Sequence, residues 1–87
     1  MAKYKISFKK SVGKDFKNIP KKDVSKILQK IESLAENPRI EGCINLSGSE
    51  IYRVRQGLYR IIYEIRDDVL IINVVKVAHR STVYKSI

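Results

Sequence analysis

The run Tyr52-Arg53-Val54-Arg55-Gln56-Gly57-Leu58-Tyr59-Arg60-Ile61-Ile62-Tyr63-Glu64-Ile65 decides the fold. It is rich in Tyr, Ile and Val, as strands are, and Gly57 interrupts it. With Gly57-Leu58 as a two-residue hairpin loop, Gln56 faces Tyr59, Arg55 faces Arg60, Val54 faces Ile61 and Arg53 faces Ile62. Alternation then sends Arg53, Arg55, Arg60 and Ile62 to one face of a sheet and Val54, Ile61, Tyr63 and Ile65 to the other.

Downstream, Asp67-Asp68 breaks the pattern before Val69–Val77, another Ile- and Val-rich segment. Glu50–Gln56, Leu58–Arg66 and Val69–Val77 therefore form an antiparallel meander. If Asp67-Asp68 is also a two-residue loop, Leu70, Ile72 and Val74 join the apolar face. Ile71, Asn73, Val75 and Val77 join the arginine face, and the same parity carries His79 there. A one-residue error in either loop would reverse this assignment.

Upstream, Tyr4, Ile6 and Phe8 alternate with Lys3, Lys5 and Ser7, the period of a half-buried strand. Val12, Phe16 and Ile19 recur at helical spacing, with Gly13 weakening the helix. Pro20 suits the first turn of a second helix. Val24, Ile27, Leu28, Ile31, Leu34 and Ala35 make a continuous apolar stripe, and Asn37-Pro38 stops it. Ile44 to Ser47 is a candidate short strand, and Ser47-Gly48-Ser49 a turn. The expectation is one α+β domain over residues 1–87: a strand, two N-terminal helices, then a three- or four-stranded antiparallel meander with the helices packed on one face.

The chain has 87 residues, with 18 Lys+Arg against 9 Asp+Glu and a net charge of +9. Such an excess fits a polyanionic partner, nucleic acid first, or else a basic solvated surface. Cys43 and His79 are the single cysteine and histidine. They supply neither a disulfide framework nor a structural metal site, and Cys43 reads as a small buried hydrophobe. No apolar run approaches a membrane span and the N-terminus has no signal-peptide core, so a cytoplasmic protein is expected.

Two clusters stand out chemically. Arg55 opposite Arg60, with Arg53 beside them, sets like charges across a ladder at a cost in stability. That is understandable if an anion binds there, since a guanidinium fork suits phosphate; solvated, splayed arginines are the plain alternative. The second cluster is Lys76-Val77-Ala78-His79-Arg80-Ser81-Thr82-Val83-Tyr84. Histidine suits acid–base chemistry near neutral pH, although a lone one is usually structural. Tyr84 is placed either to stack on a base or to pack on the surface.

Taken with Val74-Val75-Lys76-Val77-Ala78-His79-Arg80, Val83-Tyr84 and Asn37-Pro38-Arg39, the run from Tyr52 to Ile65 resembles the RelE-type toxins of the RelE/ParE superfamily. The resemblance implies a RelE-like fold and the toxin of a type II toxin–antitoxin system, with a RelB-like antitoxin, the bacterial or archaeal ribosome and mRNA as partners and no cofactor. It implies a metal-independent, ribosome-dependent endoribonuclease that cleaves mRNA in the A site by attack of the ribose 2′-hydroxyl.

By the same resemblance Arg53 and Arg55 bind and activate the phosphate, and Arg60 stabilises the transition state. Arg80 lies near the leaving group and Tyr84 stacks on a base. Well-described members carry lysines at the first two positions, one of them proposed as the general base. Arginine is effectively never deprotonated, so either His79 replaces that base or positioning and electrostatics carry the reaction. The ParE branch, which poisons DNA gyrase without a nuclease site, is the alternative.

Overall fold

A computed structural model describes residues 3–46, 48 and 50–81. Strand β3 (Ile51–Gln56) pairs antiparallel with β4 (Tyr59–Arg66) in the expected register, including Arg55 opposite Arg60 and Arg53 opposite Ile62. Gly57 takes φ 60°, while Leu58 does not enter the positive-φ region. This is the pattern of a type II′ turn, whose twist matches that of the strands and whose first position favours glycine. A side chain at Gly57 would be strained for conformational reasons alone, because open space surrounds the position.

The second hairpin departs from expectation in two ways. The turn spans Asp67 to Leu70, so Arg66 pairs with Ile71 and β5 runs Ile71–His79. Leu70 closes the turn at φ 55°, an uncommon conformation for a bulky residue. Lengthening a loop from two residues to four preserves parity, so Ile72 and Val74 reach the core as expected; Leu70 stays exposed in the turn.

The second departure reverses the parity. Tyr63 pairs with Val74 but Ile62 pairs with Lys76, leaving Val75 as a β-bulge. One extra residue exchanges the two faces for everything beyond it. Val77, expected on the arginine face, is 2% exposed in the core. Ala78, not His79, lies opposite Arg60.

The sheet order is β1-β5-β4-β3-β2. The meander has four strands because β2 (Ile44–Asn45) pairs with β3. Strand β1 (Lys5–Phe8) joins the other edge parallel to β5, so the sheet is mixed. Helices α1 (Lys10–Lys17) and α2 (Lys21–Leu34), followed by β2, β3 and β4, lie in the chain between these two parallel strands. Val12 from α1 and Ile27, Ile31 and Leu34 from α2 pack with Val54, Ile61, Tyr63, Ile65, Ile72, Val74 and Val77 in one core. Val24 and Leu28 border it, leaving the lysines of both helices outside. No helix among the described residues is long and apolar enough to cross a membrane.

Around the turn between β4 and β5, a polar network ties the elements together. Asp67 accepts two hydrogen bonds from Arg39, at 3.3 and 2.7 Å, and one from the Tyr4 hydroxyl at 2.5 Å. Arg39 also lies over the Tyr52 ring, which stacks on Tyr63. The fully buried Tyr63 donates to the Pro38 carbonyl at 2.7 Å. The bonds from Arg39 and then Tyr4 hold the Asp67 carboxyl down at about 2, against 3.8 for the free side chain. Burial, with Cys43 nearby, raises Tyr63 well above the ordinary phenol range.

These shifts have opposite pH signatures. A carboxyl depressed by folding stabilises the protein fully above its unfolded pKa, and that stabilisation is lost as pH falls through the folded one. Urea midpoints should therefore drop between pH 4 and pH 2, and Asp67→Asn should flatten that limb. A phenol raised by folding withdraws stability above about pH 10. Tyr63→Phe should remove that alkaline limb and, by leaving the Pro38 carbonyl unpaired, cost roughly 1–2 kcal/mol at neutral pH.

Candidate active site

Alternation along β3 and the hairpin register bring Arg53, Arg55 and Arg60 to the face of the sheet opposite the helices. Arg55 is exposed; Arg53 and Arg60 are half-buried. Directly opposed side chains leave the strands with Cβ atoms about 5 Å apart, so the Arg55 and Arg60 charges start close together. The Nε of Arg60 is buried and has no hydrogen-bond partner among the described residues. A buried unsatisfied donor is costly and calls for a physical reason.

Arg80 joins this group through the backbone. Its N–H donates to the Leu58 carbonyl at 2.7 Å, continuing the β4–β5 ladder by one pair. With Ala78 opposite Arg60, parity places Arg80 on the arginine face, diagonal to Arg60.

Ion pairing separates these four arginines from the other two. Arg39 pairs with Asp67 at 2.7 Å and Arg66 with Asp68 at 3.6 Å. Among the described residues, no salt bridge reaches Arg53, Arg55, Arg60 or Arg80. Glu64 shares their face by alternation, roughly 13 Å along β4 from Arg60 and diagonal to Arg53 across the ladder, without forming a salt bridge to it. The arrangement is a field of unneutralised guanidiniums, suited to binding a phosphate and stabilising extra charge on it.

His79 is not part of that field. Beyond the bulge it pairs with Tyr59, on the helix side, and meets the Tyr59 ring edge-on with centroids 5.6 Å apart. It lines a cleft with Asp15, Asn18, Ile19 and Lys76. Its Nδ1 accepts the Ser81 backbone N–H at 3.2 Å and lies 2.7 Å from the Ser81 hydroxyl. In the neutral ring the proton therefore sits on Nε2. The expected sharing of a face with the arginines is thus overturned, because the bulge intervenes. Tyr84 lies outside the described residues.

Sequence reasoning also missed Asp15, which reaches from α1 to the backbone of β5. Its one signal was to be the single acid in a helix whose charged neighbours, Lys10, Lys14 and Lys17, are all basic.

The chain is similar to known toxins in sequence and in fold. The profile of the family described as "ParE toxin of type II toxin-antitoxin system, parDE" matches residues 6–84. A curated relative from Methanocaldococcus jannaschii, described as "Putative toxin RelE1", is 35% identical over 88 aligned positions, covering 97% of this chain and 98% of its own length. Among solved structures, the archaeal RelE–RelB complex from Pyrococcus horikoshii matches with a TM-score of 0.82 and 26% identity, over 93% of this chain and 99% of the other. The RelB–RelE complex from Methanococcus jannaschii matches with a TM-score of 0.68 and 29% identity, over 85% of this chain and 89% of the other.

Proposed function

The chain belongs to the ParE toxin family of type II toxin–antitoxin systems, as a RelE-type toxin, and from that premise we propose that it is a ribosome-dependent endoribonuclease cleaving mRNA in the A site. The observation that carries this reading is a set of four arginines without carboxylate partners among the described residues, one of them with a buried Nε that has no acceptor among those residues. Such a cluster suits charge stabilisation on a reacting phosphate.

In this reading Arg53 and Arg55 bind the reacting phosphate, and Arg60 donates to the oxygens that gain charge as the 2′-hydroxyl attacks. Arg80 lies by the leaving 5′-oxygen, and Tyr84 stacks on a base. The guanidiniums supply the charge stabilisation, so the chemistry requires no metal. None of the four is a base at neutral pH. With His79 on the other side of the sheet, alignment on the ribosome and electrostatics carry the rate. A RelB-like antitoxin, as in the archaeal complexes, would meet this basic surface with an acidic, amphipathic segment.

The test is a translation reaction in vitro with mRNA ends mapped by primer extension, run beside a gyrase supercoiling assay. New ends within A-site codons and unimpaired supercoiling are expected. Inhibited supercoiling with intact mRNA would overturn the reading. A companion measurement concerns His79: Asn at this position keeps an acceptor for the Ser81 N–H but cannot take a proton. His79→Asn should cleave within a fewfold of the parent rate, with an unchanged pH profile. Loss of an acidic limb from that profile would restore His79 as the base.

A further inference from the structure

The bulge at Val75 decides which side chains of β5 reach the arginine face, and one carboxylate is placed to hold it. Strand β1 pairs with β5 only as far as Val74, whose carbonyl accepts the Lys9 N–H at 2.9 Å. Beyond that point α1 packs along β5. From α1, Asp15 accepts the Val77 backbone N–H through Oδ2 at 3.2 Å and the Lys76 ammonium through Oδ1 at 3.1 Å. The Asp15 side chain is 14% exposed, so these two bonds replace most of its hydration.

Both contacts fall on the two residues immediately after the bulge. An unbulged β5 would carry His79 to the arginine face and turn Arg80 toward the helices. The bulged strand does the opposite and sets Arg80 diagonal to Arg60. Without the bulge, alternation would turn Lys76 into the core opposite Ile61; with it, Val77 takes that place and the ammonium stays outside. The external acceptor adds to this preference, because only the bulged register presents the Val77 N–H to α1.

We propose that Asp15 is a positioning residue that keeps Arg80 in the cleavage site by pinning the bulged register of β5. The proposal rests on the ribonuclease reading for its kinetic consequence and on the backbone geometry for its structural one. Asp15 touches no substrate; it acts through Val77 and the strand that leads to Arg80. Of its two bonds, the one to the backbone fixes the register, and the one to Lys76 neutralises the charge.

Single-turnover cleavage on saturating programmed ribosomes, with amide hydrogen exchange on the same purified proteins, tests this. Asp15→Ala should slow cleavage about tenfold or more, since misplacing a reacting group by about 1 Å costs up to a hundredfold. Asp15→Asn keeps a carbonyl oxygen for the Val77 N–H and should stay within a fewfold of the parent. In an Arg80→Ala background, Asp15→Ala should cost nothing further, because the residue it positions is gone. An equal penalty in both backgrounds, or a folded Asp15→Ala that cleaves at the parent rate, would overturn the proposal.

The exchange measurement stands independently of activity. Val77 and Arg80 amides should be protected in the parent and in Asp15→Asn, and should exchange faster in Asp15→Ala. A Val77 amide exchanging at open-loop rates in the parent chain overturns the proposal, even if Asp15→Ala does not fold. If Arg80→Ala cleaves normally, or the parent does not cleave, the ribonuclease reading fails, and the exchange pattern alone decides whether Asp15 holds the bulge.

Discussion

Replacing Arg60 by methionine should lower single-turnover cleavage about a hundredfold or more at every pH tested, while making the protein slightly more stable. The two effects have one cause. Arg60 faces Arg55 across the hairpin and carries a buried Nε–H without an acceptor among the described residues. Methionine keeps the apolar stem that packs on the sheet and removes both the like-charge pairing and the unsatisfied donor. Relief of these terms should raise stability by about 1 kcal/mol, read as a higher urea midpoint with an unchanged slope. Ribosome association should change little, because lysines along α1 and α2 remain in place. If activity and stability fall together, Arg60 is an ordinary structural residue and the reading of the arginine face is wrong.

Naked mRNA should be cut more slowly than mRNA on programmed ribosomes by about a thousandfold or more, the scale on which alignment of reacting groups acts. The protein brings cations to the phosphate but little acid–base machinery. Arginines are not bases at accessible pH, Glu64 lies roughly 13 Å along the strand from Arg60, and His79 sits on the helix side of the sheet. What remains to be supplied is the in-line placement of the 2′-hydroxyl, and a single strand free in solution adopts that only transiently. Purified protein incubated in parallel with free transcript and with ribosomes stalled on the same transcript measures the ratio. Comparable rates on both would remove the ribosome from the mechanism.

The residues of the first hairpin specify it locally. Gly57 satisfies a positive φ that few other residues tolerate, and the alternation on either side buries one face and charges the other. That is why Arg53, Arg55 and Arg60 were placed correctly from the amino-acid order alone. The two helices were equally legible, because the stripe on α2 and the Pro20 and Asn37-Pro38 boundaries are short-range signals. Arginines opposed across a ladder were themselves visible as an unfavourable feature in need of an anion.

The far end of β5 was not legible in the same way. Valines at 74, 75 and 77 can supply the core in more than one way, and only Lys76, which strict alternation would turn inward, hints locally at the bulge. Its position is fixed by groups distant in sequence: β1 stops pairing at Val74, and Asp15 of α1 offers an acceptor to the Val77 N–H. That contact spans 62 residues, beyond the reach of any local pattern. Composition and local pattern therefore determined the elements, the basic face and three of its arginines. Only the tertiary structure decided that Arg80 joins them and that His79 does not, because strand parity is a property of the whole ladder and a single inserted residue inverts it.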